Sequence, residues 1–297
     1  MNYSILGGSD LNVSTIGYGC MSLGHDQATN TSLINTALDA GVNFFDTADI
    51  YNDGANETSI GKALKEKRKN VIIASKVGNV RQPDGSLAWN PSKKHILDSI
   101  DKSLARLQTD YLDLYQLHGG TIDDPIEETI DAFEQVKKAG KIRWYGISSI
   151  RPNVIRQYVD RSAITTVMMQ YSLLDRRPEE TCLDLLRKNN IGVLARGSLA
   201  QGLLAGKPAK SYTGLDETAV SKVQQRINQL ESAERKSSHI ALQFALNNPA
   251  VSSVIVGMRT QQQLNDALSA LNSPKLSPQE LDQLLALAPA QVYQEHR

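Results

Sequence analysis

The run Val71-Ile72-Ile73-Ala74-Ser75-Lys76, the segment Lys93–Leu107 and the run Tyr111-Leu112-Asp113-Leu114-Tyr115-Gln116-Leu117-His118 together decide the fold. The first is short, apolar and β-branched, which suits a strand buried on both faces. The second is long and amphipathic, and the third is strand-like again. A strand, a helix and a second strand in succession are the repeating unit of a parallel sheet with helices outside it.

The alternation extends in both directions. Residues 15–19 and 42–46 are strand candidates before this unit, and 142–147, 165–169, 191–194 and 253–256 continue it. Helical patterns fall between them at 31–40, 57–67, 126–139, 153–158, 179–188, 237–247 and 261–270. Asn30 is the expected cap of the first helix. Gly41 and Gly140 close two of them. Roughly eight units in 297 residues favour a closed (β/α)8 TIM barrel, one domain over 1–297, over an open doubly wound sheet. No G-x-G-x-x-G turn follows the first strand, which weakens the dinucleotide-fold alternative. Residues 2–14 are expected to form a β-hairpin turning at Gly7-Gly8-Ser9-Asp10 and capping the barrel floor. Extra helices near the C-terminus are expected at 217–235, inside a long insertion at 200–236, and at 278–287.

Composition narrows the function. The chain is 40% apolar, and its 32 basic residues balance 32 acidic ones with no long run of one sign. A nucleic-acid or membrane-surface partner usually requires a basic excess, and none is present. The five histidines and two cysteines are not spaced as a zinc site, so no metal is expected. Two cysteines, Cys20 and Cys182, fit a reducing compartment. The first residues lack a charged and an apolar leader region, and no stretch approaches the length of a membrane span. The expected location is the cytoplasm. No heptad or broad apolar helical face stands out, so a monomer is the default expectation.

In a barrel of this kind the chemistry sits at the C-terminal ends of the strands. Asp46, Lys76 and His118 end the second, third and fourth strand candidates, and Tyr51 lies in the loop after Asp46. Singly, each has an ordinary explanation: a turn residue, a solvated strand end, a core histidine, an amphipathic tyrosine. Closure of the barrel brings all four together, which the separate explanations do not account for.

The segments that carry these residues resemble the aldo-keto reductase superfamily, almost end to end. They are Gly17-Tyr18-Gly19-Cys20-Met21, Phe45-Asp46-Thr47-Ala48-Asp49-Ile50-Tyr51, Ala74-Ser75-Lys76, Asp110 through His118, and Tyr145-Gly146-Ile147-Ser148-Ser149. The pattern is closer to the bacterial branch resembling potassium-channel β-subunits than to the aldose reductase type. The resemblance implies that Asp46, Tyr51, Lys76 and His118 are a catalytic tetrad. It implies reduction of an aldehyde or ketone by hydride transfer from NADPH, with Tyr51 as proton donor. Physical chemistry supports those roles. A free phenol ionises near pH 10, and an ammonium about 4 Å away favours the phenolate by on the order of 4 kcal/mol at an effective dielectric near 20. Lys76 would supply the ammonium, Asp46 would keep it charged, and His118 would donate to the substrate oxygen.

The resemblance also implies a cofactor site built from loops. Gly19, Cys20, Met21 and Asp46 would flank the cofactor's middle, and Ser148 and Ser149 would meet the carboxamide, where relatives usually have Asn at the second position. Gln170 would replace a glutamine that relatives carry at the position of Met168, since both side chains share one strand face. Arg196 stands where an aromatic usually stacks on the nicotinamide; the alternatives are stacking or an acidic partner elsewhere. Gly197, Ser198, Leu199, Gln201 and Gly202 would hold the pyrophosphate. Gly257, Arg259 and Gln263 would hold the adenosine end, with Arg259 selecting the 2′-phosphate. Asp266 and Ala267 stand where relatives carry a Glu-Asn pair for adenine. Trp89 is the expected apolar wall of the substrate pocket, with His25, Asn52 and Tyr293 nearby.

Two other readings remain open on sequence alone. The chain could bind NADPH as a redox-sensing partner subunit with slow turnover. Lys76 could also serve as the Schiff-base nucleophile of an aldolase.

Overall fold

The computed structural model describes residues 1–297. A β-hairpin of β1 (Tyr3–Ile5) and β2 (Asn12–Ser14) leads into β3 (Ile16–Gly19), α1 (Gln27–Asp39), β4 (Phe44–Asp46), α2 (Ala55–Leu64) and β5 (Ile72–Val77). A second hairpin, β6 (Asn79–Arg81) with β7 (Leu87–Trp89), precedes α3 (Lys93–Leu107), β8 (Leu112–Leu117) and α4 (Ile126–Lys138). Then come β9 (Ile142–Ser148), α5 (Pro152–Arg161), β10 (Thr166–Gln170), α6 (Cys182–Lys188) and β11 (Gly192–Arg196). The chain ends with α7 (Glu217–Gln229), α8 (Ser237–Leu246), β12 (Val251–Val256), α9 (Gln261–Ser269) and α10 (Pro278–Leu287). The strands β3, β4, β5, β8, β9, β10, β11 and β12 pair in that order into a closed parallel barrel. The expected (β/α)8 barrel is present, with the N-terminal hairpin and the extra helices.

The barrel interior is a plug of apolar side chains. Phe44, Ile72, Ala74, Leu114, Met168, Leu194 and Ile255 point inward, and Leu6, Leu11 and Val13 of the hairpin close the bottom. Gly7 fits tightly there. Its φ is +56°, and a Cβ would lie 2.4 Å from the carbonyl oxygen of Thr165. A larger cluster of 67 buried residues fills the space between barrel and helices. Because the bottom is sealed and the interior packed, an open site can form only at the C-terminal rim.

Local details differ from expectation for identifiable reasons. α1 begins earlier than expected: Asp26, not Asn30, caps it by accepting from the Thr29 amide at 2.8 Å. Asn30 instead donates to the Gly24 carbonyl and the Ser59 hydroxyl. The helix expected at 57–67 ends at Leu64 and tightens into a 3-10 turn over Lys65–Asn70. The one expected at 179–188 is split at Thr181, whose φ of −149° interrupts it. The helix expected to reach 235 stops at Gln229, and Ser232 and Arg235 pair across a turn. No helix is long and apolar enough to cross a membrane.

Candidate active site

Lys76 is the centre of the site. It lies near the C-terminal end of β5, is 0% exposed, and is surrounded by oxygen acceptors. Its Nζ is 2.8 Å from Asp46 Oδ2, 2.7 Å from Asp46 Oδ1, 2.7 Å from the Thr47 carbonyl and 3.4 Å from the Tyr51 hydroxyl. Strand register makes this possible, because Asp46 of β4 pairs with Ala74 of β5, two residues before Lys76. Tyr51 begins a tight turn, Tyr51–Gly54, whose next three residues have positive φ. His118 follows β8, its amide bonded to the Val77 carbonyl at 2.7 Å, and its ring meets Tyr51 edge-on with centroids 5.8 Å apart. The four expected catalytic residues are therefore together.

Their charges follow from burial and partners. Burial pushes the Lys76 ammonium toward deprotonation, but the Asp46 carboxylate and Tyr51 more than reverse this, so its pKa lies above the ordinary lysine value. A lysine held charged in this way is a poor amine nucleophile, which argues against a Schiff-base aldolase. Burial, reinforced by Lys76 and Arg196, drives His118 down to about 3. It is a neutral imidazole, and its Nδ1 is buried without a partner.

Above this group opens a cavity of about 740 Å³. Tyr51, His118 and Asp46 form its base. Gly19, Met21, Ser148, Ser149, Arg196, Gly197 and Gly257 line it from the ends of β3, β9, β11 and β12. Trp89, Asn79, Gly119, Gly120, Thr121 and Arg151 line it from the segments after β5, β8 and β9. Ser149 Oγ accepts from the Arg151 amide at 3.2 Å, leaving its own proton free to donate.

The remaining expected residues are placed as follows. Met168 lines the cavity floor, while Gln170 does not line it; its amide donates to the Tyr212 hydroxyl at 2.9 Å. Arg196 lies in the cavity with no carboxylate in ion-pair reach, its single side-chain contact being Gln170 Oε1 at 3.5 Å. The expected alternative of an acidic partner is thus not found. Cys20 is fully buried beside the site, its thiol turned to the Tyr18 carbonyl. The Ser198 and Leu199 amides make no intramolecular hydrogen bond, whereas the Gly202 amide already donates to the Leu199 carbonyl at 2.8 Å. Arg259 is exposed just before α9, its amide bonded to Gln263 Oε1 at 3.0 Å. Trp89 is a cavity wall; His25, Asn52 and Tyr293 do not line the cavity. Tyr293 is buried and stacks on Arg177.

A closed barrel whose rim carries this tetrad is matched by sequence comparison. The model of the aldo/keto reductase family matches residues 15–288. The chain belongs to the aldo/keto reductase family. It is 45% identical to the uncharacterized oxidoreductase YqkF of Bacillus subtilis, across 98% of each chain. It is 31% identical to the NADH-specific methylglyoxal reductase of Escherichia coli, across 90% of this chain and 92% of that one. The solved aldo-keto reductase AKR11C1 of Bacillus halodurans, in its holo form, superposes with a TM-score of 0.94 at 45% identity, covering 100% of this chain and 99% of the other.

For an aldo/keto reductase, several side chains at this rim escape a sequence reading. Arg151, Asn79 and Thr121 enter the cavity from loops whose path depends on the whole barrel. Lys207 and Lys210 both reach Gln201, donating to its carbonyl and its side-chain oxygen at 2.8 and 3.3 Å. Their signal was two lysines in the insertion directly after the glycine-rich turn. Glu57 and Arg106 form an ion pair at 2.6 Å behind the tetrad, with Glu57 0% exposed and Arg106 partly buried.

Proposed function

We propose that this chain reduces aldehydes or ketones to alcohols at the expense of NADPH, with Tyr51 giving the proton to the product oxygen. The observation that carries the reading is the Lys76 ammonium, fixed between the Asp46 carboxylate and the Tyr51 phenol at the base of an open cavity.

The loops fit a dinucleotide. Gly19, Gly197 and Gly257 leave the wall bare where a ring could lie against it. The free amides of Ser198 and Leu199, with Gln201 and its two lysines nearby, suit a pyrophosphate. Cys20 packs behind that wall rather than in it, and Gly202 contributes shape rather than a donor. NADPH, when bound, supplies a hydride to the carbonyl carbon. As negative charge develops on the carbonyl oxygen, Tyr51 transfers its proton to it. Lys76 stabilises the phenolate left behind, and neutral His118 donates a hydrogen bond that orients the oxygen. Ser148 and Ser149 would hold the carboxamide of the ring, and Arg196, which lines the same cavity, would supply a guanidinium to that region.

Preference for NADPH over NADH rests on Arg259. It is exposed beside the N-terminus of α9 with no carboxylate to neutralise it, which suits a 2′-phosphate. The acid of that helix, Asp266, is occupied by Lys236 at 2.6 Å and by the Ser238 hydroxyl. It is therefore not free to select a ribose hydroxyl.

The test is consumption of NADPH with 4-nitrobenzaldehyde. Steady oxidation with formation of the alcohol is expected. Quenching of NADPH fluorescence without oxidation would indicate a binding subunit instead, and covalent trapping by borohydride with a carbonyl compound would indicate an aldolase.

A further inference from the structure

The cavity has an unbalanced set of charges. Among its lining side chains the sole carboxylate is Asp46, already engaged by Lys76, while two guanidinium groups, Arg151 and Arg196, also line it. Neither arginine has an acidic partner within 4.0 Å, although most other arginines of the chain do. Arg151 starts at the head of α5 and reaches across to the β8 loop, where Nη1 donates to the Gly120 carbonyl. That single backbone bond leaves most of its fork of donors unused. The nearest acid behind this wall, Asp124, does not line the cavity. Its oxygens are taken by Trp89 Nε1 at 2.8 Å, Thr121 Oγ1 at 2.7 Å and the Thr121 amide at 2.8 Å.

The two arginines come from different parts of the rim, Arg196 from the end of β11 and Arg151 from the loop after β9, against the Gly120 carbonyl. Arg196 belongs with Gly19, Gly197 and Gly257, where the cofactor reading places the nicotinamide. Arg151 lines the same cavity as Tyr51 and His118, held against the Gly120 carbonyl, on a wall that the cofactor reading leaves to a substrate's remote end. A partly desolvated guanidinium is strongly attracted to a planar anion, because a carboxylate or phosphate meets its donors two at a time. A neutral substrate would leave that charge without an anionic partner.

We propose that the preferred substrates are carbonyl compounds bearing an anionic group, carboxylate or phosphate, docked on Arg151 with the aldehyde or ketone directed at Tyr51. This inference rests on the reductase reading and names its substrate class.

The experiment compares matched pairs with the wild-type enzyme and NADPH. One pair is 4-formylbenzoate and its methyl ester, which differ in charge and in which the ester has the more electrophilic aldehyde, so intrinsic reactivity works against the expected preference. The other is glyceraldehyde 3-phosphate and glyceraldehyde. The expected result is a kcat/KM at least tenfold higher for the anion, carried mainly by KM and falling as salt is raised. Preference in one pair alone still supports an anion site and says which group it takes. Arg151→Gln keeps a donor for the Gly120 carbonyl, and it should reduce the anion-to-neutral ratio at least fivefold. Equal or better use of the neutral partner in both pairs by the wild type overturns the proposal without reference to any variant. A ratio unchanged in folded Arg151→Gln overturns the assignment to Arg151. Failure to reduce any of the four compounds would instead remove the reductase reading beneath it.

Discussion

Lys76 Nζ stands 3.4 Å from the hydroxyl of Tyr51, with its other donors held by Asp46 and the Thr47 carbonyl. The ammonium therefore cannot leave the phenol without breaking a buried ion pair. Replacing Asp46 with Asn removes the charge that keeps Lys76 protonated against burial. Asp46→Asn should lower kcat by about a hundredfold, within the range for positioned acid–base groups. The alkaline limb of the kcat profile should shift to lower pH. A steady-state pH series on the variant checks both.

The turn that carries Tyr51 is braced from outside the barrel. Asn52, Asp53 and Gly54 have φ of +50°, +52° and +87° in succession, and the first two each cost about 1–2 kcal/mol in the left-handed region. Arg106 packs on Gly54, where a Cβ would lie 2.7 Å from its Cδ, and pairs with buried Glu57, which also accepts from Ser75 beside Lys76. Arg106→Met leaves Glu57 buried and unpaired, at a cost of about 2–3 kcal/mol after allowance for the partial exposure of Arg106. We expect a lower melting temperature and a severalfold fall in kcat with a smaller change in KM. Arg106→Lys should recover part of the rate.

Asp49 predicts a pH dependence of stability. Burial, reinforced by Glu57 and opposed by Arg106 and Lys76, raises its carboxyl from 3.8 to about 7, and its Oδ1 has no partner. The folded state thus prefers the protonated acid. Between about pH 4 and pH 7 the folded chain holds a proton that the unfolded chain has released, so stability falls as pH rises through that window. Asp49→Asn should flatten this slope, gaining up to about 4 kcal/mol at pH 8 and little at pH 4. Denaturant midpoints at the two pH values measure it.

Arg259 predicts cofactor choice. Arg259→Ala should raise the KM for NADPH about tenfold or more while leaving that for NADH within about twofold, as loss of a charge-assisted phosphate contact requires. Initial rates with both cofactors decide this, and an unchanged ratio would move the selection elsewhere.

The barrel was legible because its strands are short apolar runs between amphipathic helices, and because a closed barrel puts residues such as Asp46, Lys76 and His118 at one rim. The β6–β7 hairpin was not legible, since Asn79-Val80-Arg81 and Leu87-Ala88-Trp89 are too short and too mixed to show alternation. The start of α1 was misread because Asp26 and Asn30 are both good capping residues, and only the bonds of Asn30 to Gly24 and Ser59 show that it has another role. The contact of Gln170 with Tyr212 was not legible either. It shares a strand face with Met168, but Tyr212, from a distant loop, draws its amide aside. Arg151 and the Glu57–Arg106 pair depend on contacts between residues far apart in sequence, which periodicity does not encode.

The most direct measurement is turnover by Tyr51→Phe alongside its NADPH affinity. The substitution removes one hydroxyl and leaves the Lys76–Asp46 pair in place. The expected result is less than about 1% of wild-type kcat with 4-nitrobenzaldehyde, and fluorescence quenching by NADPH at a Kd within about threefold of wild type. A folded Tyr51→Phe enzyme that kept more than a few per cent of the rate would contradict Tyr51 as the proton donor.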